Sequence, residues 1–173
     1  MGEHSARNAL AAVAVANAIG VGQDSITKGL ASFQPAKGRL QLKTGRSGAL
    51  VIDDSYNANP DSMRAAVDVL AASDGKLKVL IIGDMDEVGE RSSAFHAEIG
   101  LYARDRGIDR LFAVGVASIK AARAFGDQGQ HFENPDSLLE ATCAIANKDT
   151  AVLVKGSRFM RMESIVERLV NAT

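Results

Sequence analysis

The chain has 173 residues, 46% of them apolar and 5% aromatic with no tryptophan, which suits one aliphatic-cored domain plus a piece of another. A net charge of −1 argues against nucleic acid or a charged membrane surface as partner, and a single cysteine, Cys143, excludes an internal disulfide. No apolar run reaches the length of a membrane span and no basic-then-apolar leader is visible, so the expectation is a cytoplasmic protein that is not integral to a membrane.

In chain order, residues 4–19 are dominated by Ala and Val and read as a helix with small residues on most faces, closed by Gly20. A short second helix comes next, with Asp24 as its expected N-cap and Ile26, Leu30 and Phe33 on one stripe. Pro35-Ala36-Lys37-Gly38 is a breaker cluster and marks a linker. Two helices do not make a domain. They either dock on the residues beyond the linker or belong with a partner outside this chain, in which case helix 4–19 is a candidate for self-association.

From about residue 40 the pattern alternates between strand and helix. Strands are expected at Ala49–Ile52, Leu77–Ile82, Arg110–Val114 and Ala151–Val154, with an edge strand near His131-Phe132. The helices between them show apolar stripes. One is Met63, Ala66, Val67 and Leu70; another is Phe95, Ile99, Tyr102 and Ala103, ended by Gly107; the last is Phe159, Met162, Val166 and Leu169. Asn59-Pro60 and Asn134-Pro135 each place an N-cap before a Pro at the first helical turn. This order predicts an α/β fold, a mostly parallel sheet with helices on both faces. Cys143, four residues after Leu139, reads as a core residue. His96 reads as a surface residue or one that backs a site, and His131 as a loop or edge residue.

In a parallel sheet the strand exits share one edge, and ligands bind there. The first exit reads Asp53-Asp54-Ser55-Tyr56-Asn57-Ala58-Asn59-Pro60. One Asp at such a point is an ordinary turn former; two acids followed by Tyr56, Asn57 and Asn59 favour a site. The second exit carries Asp84 and Glu87, the third Gly115, and the last Lys155, Ser157 and Arg158. Acids there suit a divalent cation or a ribose, and cations suit phosphate or carboxylate. The chain has neither a Gly-x-x-x-x-Gly-Lys-Ser/Thr phosphate loop nor a Gly-x-Gly-x-x-Gly fingerprint.

Five segments then carry a resemblance: His4–Ala12, Gly38-Arg39-Leu40, Ile52–Met63, Gly83–Gly89 and Leu153–Glu163. On these the chain resembles the Mur ligases of peptidoglycan synthesis. Within that family it is most similar to the type that joins D-alanyl-D-alanine to UDP-N-acetylmuramoyl-tripeptide. The resemblance implies a Rossmann-like carboxyl-terminal domain over residues 38–173. It is preceded, over 1–37, by the last helices of the central ATP-binding domain and a linker. It implies ATP and Mg2+ for the full-length enzyme, both peptide substrates as partners, and a role in cell-wall synthesis, cell shape and division. The excised piece is expected to be inactive alone and to need no cofactor.

Residue by residue, the resemblance gives Asn8 to the adenine, Arg39 to the ATP phosphates and Asp54 to the ribose, with Tyr56, Asn57 and Asn59 shaping that loop. Lys155, Ser157 and Arg158 would face the dipeptide. His4, Asp53, Asp84 and Glu87 stand as accessory candidates, and Ser5 departs from the family's Asn after the motif's His. The chemistry implied is an acyl phosphate attacked by the dipeptide amine. Two other classes compete. A signalling receiver domain needs an acid after the third strand, where this chain has Val114-Gly115. A non-catalytic binding module would release no phosphate.

Overall fold

The structure, a computed structural model, describes residues 3–86 and 88–171. It divides into two compact units, Met1–Ala36 and Lys37–Thr173. The first holds helices α1 (Glu3–Ala18) and α2 (Gln23–Ala31). Gly20, at φ +80°, turns the chain between them. The N-cap of α2 is Gly22, not Asp24. Asp24 sits inside the first turn, where its charge complements the helix dipole but its side chain makes no cap bond.

The second unit is a six-stranded sheet. Its strands are β1 (Gln41–Thr44), β2 (Leu50–Asp54), β3 (Leu77–Ile82), β4 (Arg110–Val114), β5 (Gly129–Phe132) and β6 (Thr150–Lys155). The spatial order is β1-β2-β6-β3-β4-β5. All neighbours are parallel except β1 and β2, which pair antiparallel. Strand β6 lies between β2 and β3 and is buried along its whole length, hence its near-continuous apolar run. Strand β1 has one apolar residue, the exposed Leu42, so its sequence gives no strand signal.

The side-chain alternation of the strands builds two cores. Ile52, Leu80, Ile82, Leu111, Ala113, Ala151 and Leu153 pack toward α3 (Pro60–Ala71), α4 (Ser92–Asp105) and α5 (Ile119–Phe125). Val51, Val79, Ile81, Phe112, Val114, Val152 and Val154 pack toward α6 (Pro135–Ile145) and α7 (Glu163–Val170). The sheet is therefore doubly wound, as the βαβα order predicted. The helices that follow β2 and β3 lie on one face and the helix that follows β6 lies on the other. The chain parts around the end of β6, which makes that point the switch of the sheet.

Local rules explain the helix starts. Asn59 caps α3 by accepting from Ser62 N–H at 2.8 Å, and Ser62 Oγ accepts from Asn59 N–H at 3.0 Å, a reciprocal capping box. Asn134 caps α6 in the same way through Ser137 N–H at 2.9 Å. Three expectations need correction. Phe159 does not join the last stripe: it lies on a short 3-10 turn (Arg158–Met160) and is 56% exposed. Cys143 is exposed, because Leu138, Leu139 and Thr142 are the residues that α6 turns inward. His96 is fully buried rather than at the surface.

Candidate functional site

The four exits meet on one edge as expected, with Asp54 and Lys155 in register on adjacent parallel strands. Lys155 Nζ donates to Asp54 Oδ2 at 2.5 Å and to the Asn57 carbonyl at 2.9 Å. The second carboxylate oxygen, Asp54 Oδ1, accepts from Leu40 N–H at 3.2 Å. The Lys155 side chain is 3% exposed and that of Asp54 12%. Burial is the leading influence on both groups. It pushes the Asp54 carboxyl above its ordinary value and the Lys155 amine below its own, and the partner's charge opposes each shift. The pair thus fastens the segment before β1, at Leu40, and the loop at Asn57 to the end of β6.

Above this buried pair stands an exposed cationic group. The Arg39 guanidinium lies over the Tyr56 ring at 4.4 Å from its centroid, and that of Arg158 lies 5.7 Å from the same centroid. Tyr56 is 44% exposed, and its N–H donates to the Gly38 carbonyl at 3.0 Å. Arg158 also reaches Glu163 Oε1 at 3.3 Å. One ring therefore gathers a cation from the segment before β1 and a cation from the β6 exit. Such contacts are worth about 0.5–1 kcal/mol at an exposed site. They orient the two guanidiniums, which still have donors to offer a ligand.

The other acids are occupied. Asp53 accepts from Lys43 Nζ at 2.6 Å, Ser55 Oγ at 2.6 Å and Ser55 N–H at 3.2 Å, all beneath the β1–β2 edge. The Asp84 carboxylate accepts from the backbone N–H groups of Val116, Ala117 and Ser118 at 2.9, 3.1 and 2.8 Å. Ser157 is buried, and its Oγ accepts from Asp86 N–H at 2.8 Å. Asn57 Oδ1 accepts from Ala58 N–H at 2.9 Å, and Asn59 serves as a helix cap. Asn8 lies exposed on α1 in the first unit. Glu87 lies outside the described residues, as does the His4 side chain. Among the described residues no group of three or more His, Cys, Asp or Glu is placed to hold a metal ion.

Residues 38–158 match the family model described as "Mur ligase, glutamate ligase domain". The chain belongs to the Mur ligase family. It is 42% identical over 170 residues to the UDP-N-acetylmuramoyl-tripeptide–D-alanyl-D-alanine ligase of Escherichia coli K12, covering 97% of this chain and 37% of that protein. Among solved structures, MurF from Acinetobacter baumannii matches with a TM-score of 0.87 at 38% identity, covering 98% of this chain and 38% of that one. MurF from Thermotoga maritima, solved in complex with ADP, matches with a TM-score of 0.83 at 26% identity over 98% of this chain and 38% of that one. The chain thus spans a little over a third of the length of these relatives.

Within this Mur ligase unit, two features leave little or no signal in the sequence. Nothing in the spacing of Asp54 and Lys155, 101 positions apart, announces that they pair, and the family resemblance allots them to different ligands. His96 Nε2 accepts from Met85 N–H at 3.0 Å, which leaves Nδ1 to carry the proton and donate to the Ser92 carbonyl at 2.7 Å. That buried imidazole fastens the β3 exit to the start of α4. A His one turn into a helix, next to an apolar Phe95, is the one hint the sequence offers. No described helix is long and apolar enough to cross a membrane.

Proposed function

We propose that this chain supplies the carboxyl-terminal part of an ATP-dependent ligase that joins D-alanyl-D-alanine to UDP-N-acetylmuramoyl-tripeptide. The activity named for its relatives motivates the reaction. The observation that carries the reading is the pair of guanidiniums assembled on Tyr56 above the buried Asp54–Lys155 pair. A reaction through an acyl phosphate moves negative charge among phosphate and carboxylate oxygens, and preorganised cations stabilise it. In this reading Arg39 takes phosphate oxygens of ATP. Arg158 takes the dipeptide carboxylate, a planar anion that matches its fork of donors. Tyr56 holds both in place.

The roles of the buried groups follow from what they can still reach. Lys155 and Asp54 are engaged with each other, with Leu40 and with Asn57, so they position the nucleotide loop more than they donate to a ligand. Ser157 sets the backbone that presents Arg158. A magnesium ion would travel with the nucleotide phosphates. Among the described residues no three His, Cys, Asp or Glu side chains gather to hold it, so this reading gives it no ligand set from Asp53, Asp54 and Asp84. His4 and Asn8 belong to the other unit and carry no part of this reading.

The test is phosphate release by the complete enzyme that contains this chain, supplied with ATP, UDP-N-acetylmuramoyl-tripeptide and D-alanyl-D-alanine. Release should require all three. Arg39→Ala should raise the KM for ATP, and Arg158→Ala the KM for the dipeptide. Release that ignores the dipeptide would refute the assignment. This chain alone, having no phosphate loop, should stay at background, whereas ligation by it alone would mean that the ATP site has been misplaced.

A further inference from the structure

Asp84 has more partners than a turn former needs. Its carboxylate takes the three N–H groups at the start of the β4–α5 connection, and its own carbonyl accepts from Ser157 N–H at 2.9 Å. Two residues on, Asp86 N–H donates to Ser157 Oγ at 2.8 Å. One residue back, Gly83 N–H donates to the Lys155 carbonyl at 2.8 Å. The β3 exit is therefore bonded to the β4 exit on one side and to the β6 exit on the other. Among the described residues no cation pairs with the Asp84 carboxylate, so its partners within the protein are backbone N–H groups. The fit is close. A Cβ added to Gly115, which sits at φ +128°, would stand 2.4 Å from Asp84 Oδ1.

We propose that Asp84 is a positioning residue that joins the 115–118 loop and the 156–158 turn into one platform and thereby holds Arg158 in register for the dipeptide. The proposal rests on the ligase reading above. It goes beyond a local helix cap, because a cap would order Val116–Ser118 and leave Ser157 indifferent. The platform also presents two apolar side chains in the open, Val116 at 89% and Phe159 at 56% exposure. Val116 lies on the first of the segments that Asp84 connects, and Phe159 lies on the 3-10 turn just after the second.

Two measurements test it. In hydrogen exchange on this chain, Asp84→Ala should lower amide protection at Ser157 and Asp86 together with Val116–Ser118, and Asp84→Asn should lower it at the same amides to a smaller extent. Asp84→Asn keeps one acceptor oxygen and guards against a variant that fails to fold. Gly115→Ala, which pushes the carboxylate away from the other side, should give the same pattern. In the complete enzyme, Asp84→Ala should raise the dipeptide KM about tenfold, the scale of one lost charge-assisted contact. The KM for ATP and the pH profile should hold, and Asp84→Asn should recover most of the loss. Protection lost only at Val116–Ser118, or less active enzyme at an unchanged dipeptide KM, would overturn the proposal. If the complete enzyme does not use the dipeptide at all, the ligase reading fails, and the exchange experiment still decides whether the platform exists.

Discussion

Removing the amine from Lys155 should cost far more than removing an ordinary surface charge. In Lys155→Met the Asp54 carboxylate keeps its burial and its contact with Leu40 N–H but loses the cation 2.5 Å away. Breaking a buried pair from one side typically costs about 3–5 kcal/mol. For a chain of this size each kcal/mol moves Tm by roughly 2–4 °C, so a drop of about 6 to 20 °C is expected. The cost should also depend on pH. Burial already holds the Asp54 carboxyl above 3.8, and losing Lys155 removes the chief opposing influence. The folded variant then binds the Asp54 proton more tightly than the unfolded chain does. Its stability must rise as pH falls through the raised folded value toward 3.8, and the gap to the parent should narrow there. Adding Asp54→Asn to Lys155→Met should recover much of the loss, because no orphan charge remains. Denaturant unfolding at several pH values measures all of this. A cost below about 1 kcal/mol with no pH dependence would show that the pair is solvated and would refute the reasoning.

His96→Ala should destabilise the chain by about 3 kcal/mol, since it leaves a cavity and strands Met85 N–H and the Ser92 carbonyl. A shifted denaturant midpoint would show it, and an unchanged one would place His96 outside the core. Asn59→Ala should cost about 1 kcal/mol through the lost capping box, seen as a modest fall in Tm. Alkylation of Cys143 in the native chain should proceed readily without unfolding it, because the thiol side is exposed; protection until denaturation would contradict this. Leu10, Val15, Ile19 and Phe33 are all open to solvent, so the chain should self-associate with rising concentration, as sedimentation velocity can record. Replacing Leu10 and Val15 by Gln should reduce that association.

The strands that are legible in the sequence are those buried on both faces. Leu77–Ile82 and Arg110–Val114 match β3 and β4 end to end, because continuous aliphatic runs have few other homes. Strand β1 is illegible because it is a polar edge held by backbone bonds and by Lys43–Asp53, neither of which leaves an apolar pattern. Helix α5 escapes for a different reason. The three N–H groups that lead into it, those of Val116, Ala117 and Ser118, are satisfied by Asp84, 34 positions before Ser118, and Ser118 at the N-cap makes no side-chain cap bond, so no local capping signal marks where it starts. Cys143 shows the limit of local spacing. An i, i+4 relation to Leu139 does not bury it: α6 buries Leu138, Leu139 and Thr142 and packs Ala141 and Ile145 beside them, and Cys143 falls outside that face. At the edge, sequence order collects the charged residues correctly. It is silent on which charges meet each other and which meet water, because that depends on register between strands far apart in the chain.

That division of charges explains why the edge is built from a buried layer and an exposed one. For Asp54 a raised carboxyl value means that the native state loses stability as pH rises above the ordinary value. For Lys155 a lowered amine value means that it loses stability as pH falls below its own. At neutral pH both effects oppose folding, and exchanging a buried ion pair for apolar residues of the same volume is often neutral or stabilising. What the charges do, and apolar residues cannot, is bind polar backbone at defined points: Leu40 N–H on one side and the Asn57 carbonyl on the other. Those points flank Arg39 and Tyr56. The buried pair thus converts electrostatic cost into the placement of an exposed guanidinium and the ring beneath it, and in the platform proposed above Asp84 places Arg158 through Ser157. A cation on a free loop would lose binding energy to its own ordering, and one held from below keeps that energy for the ligand.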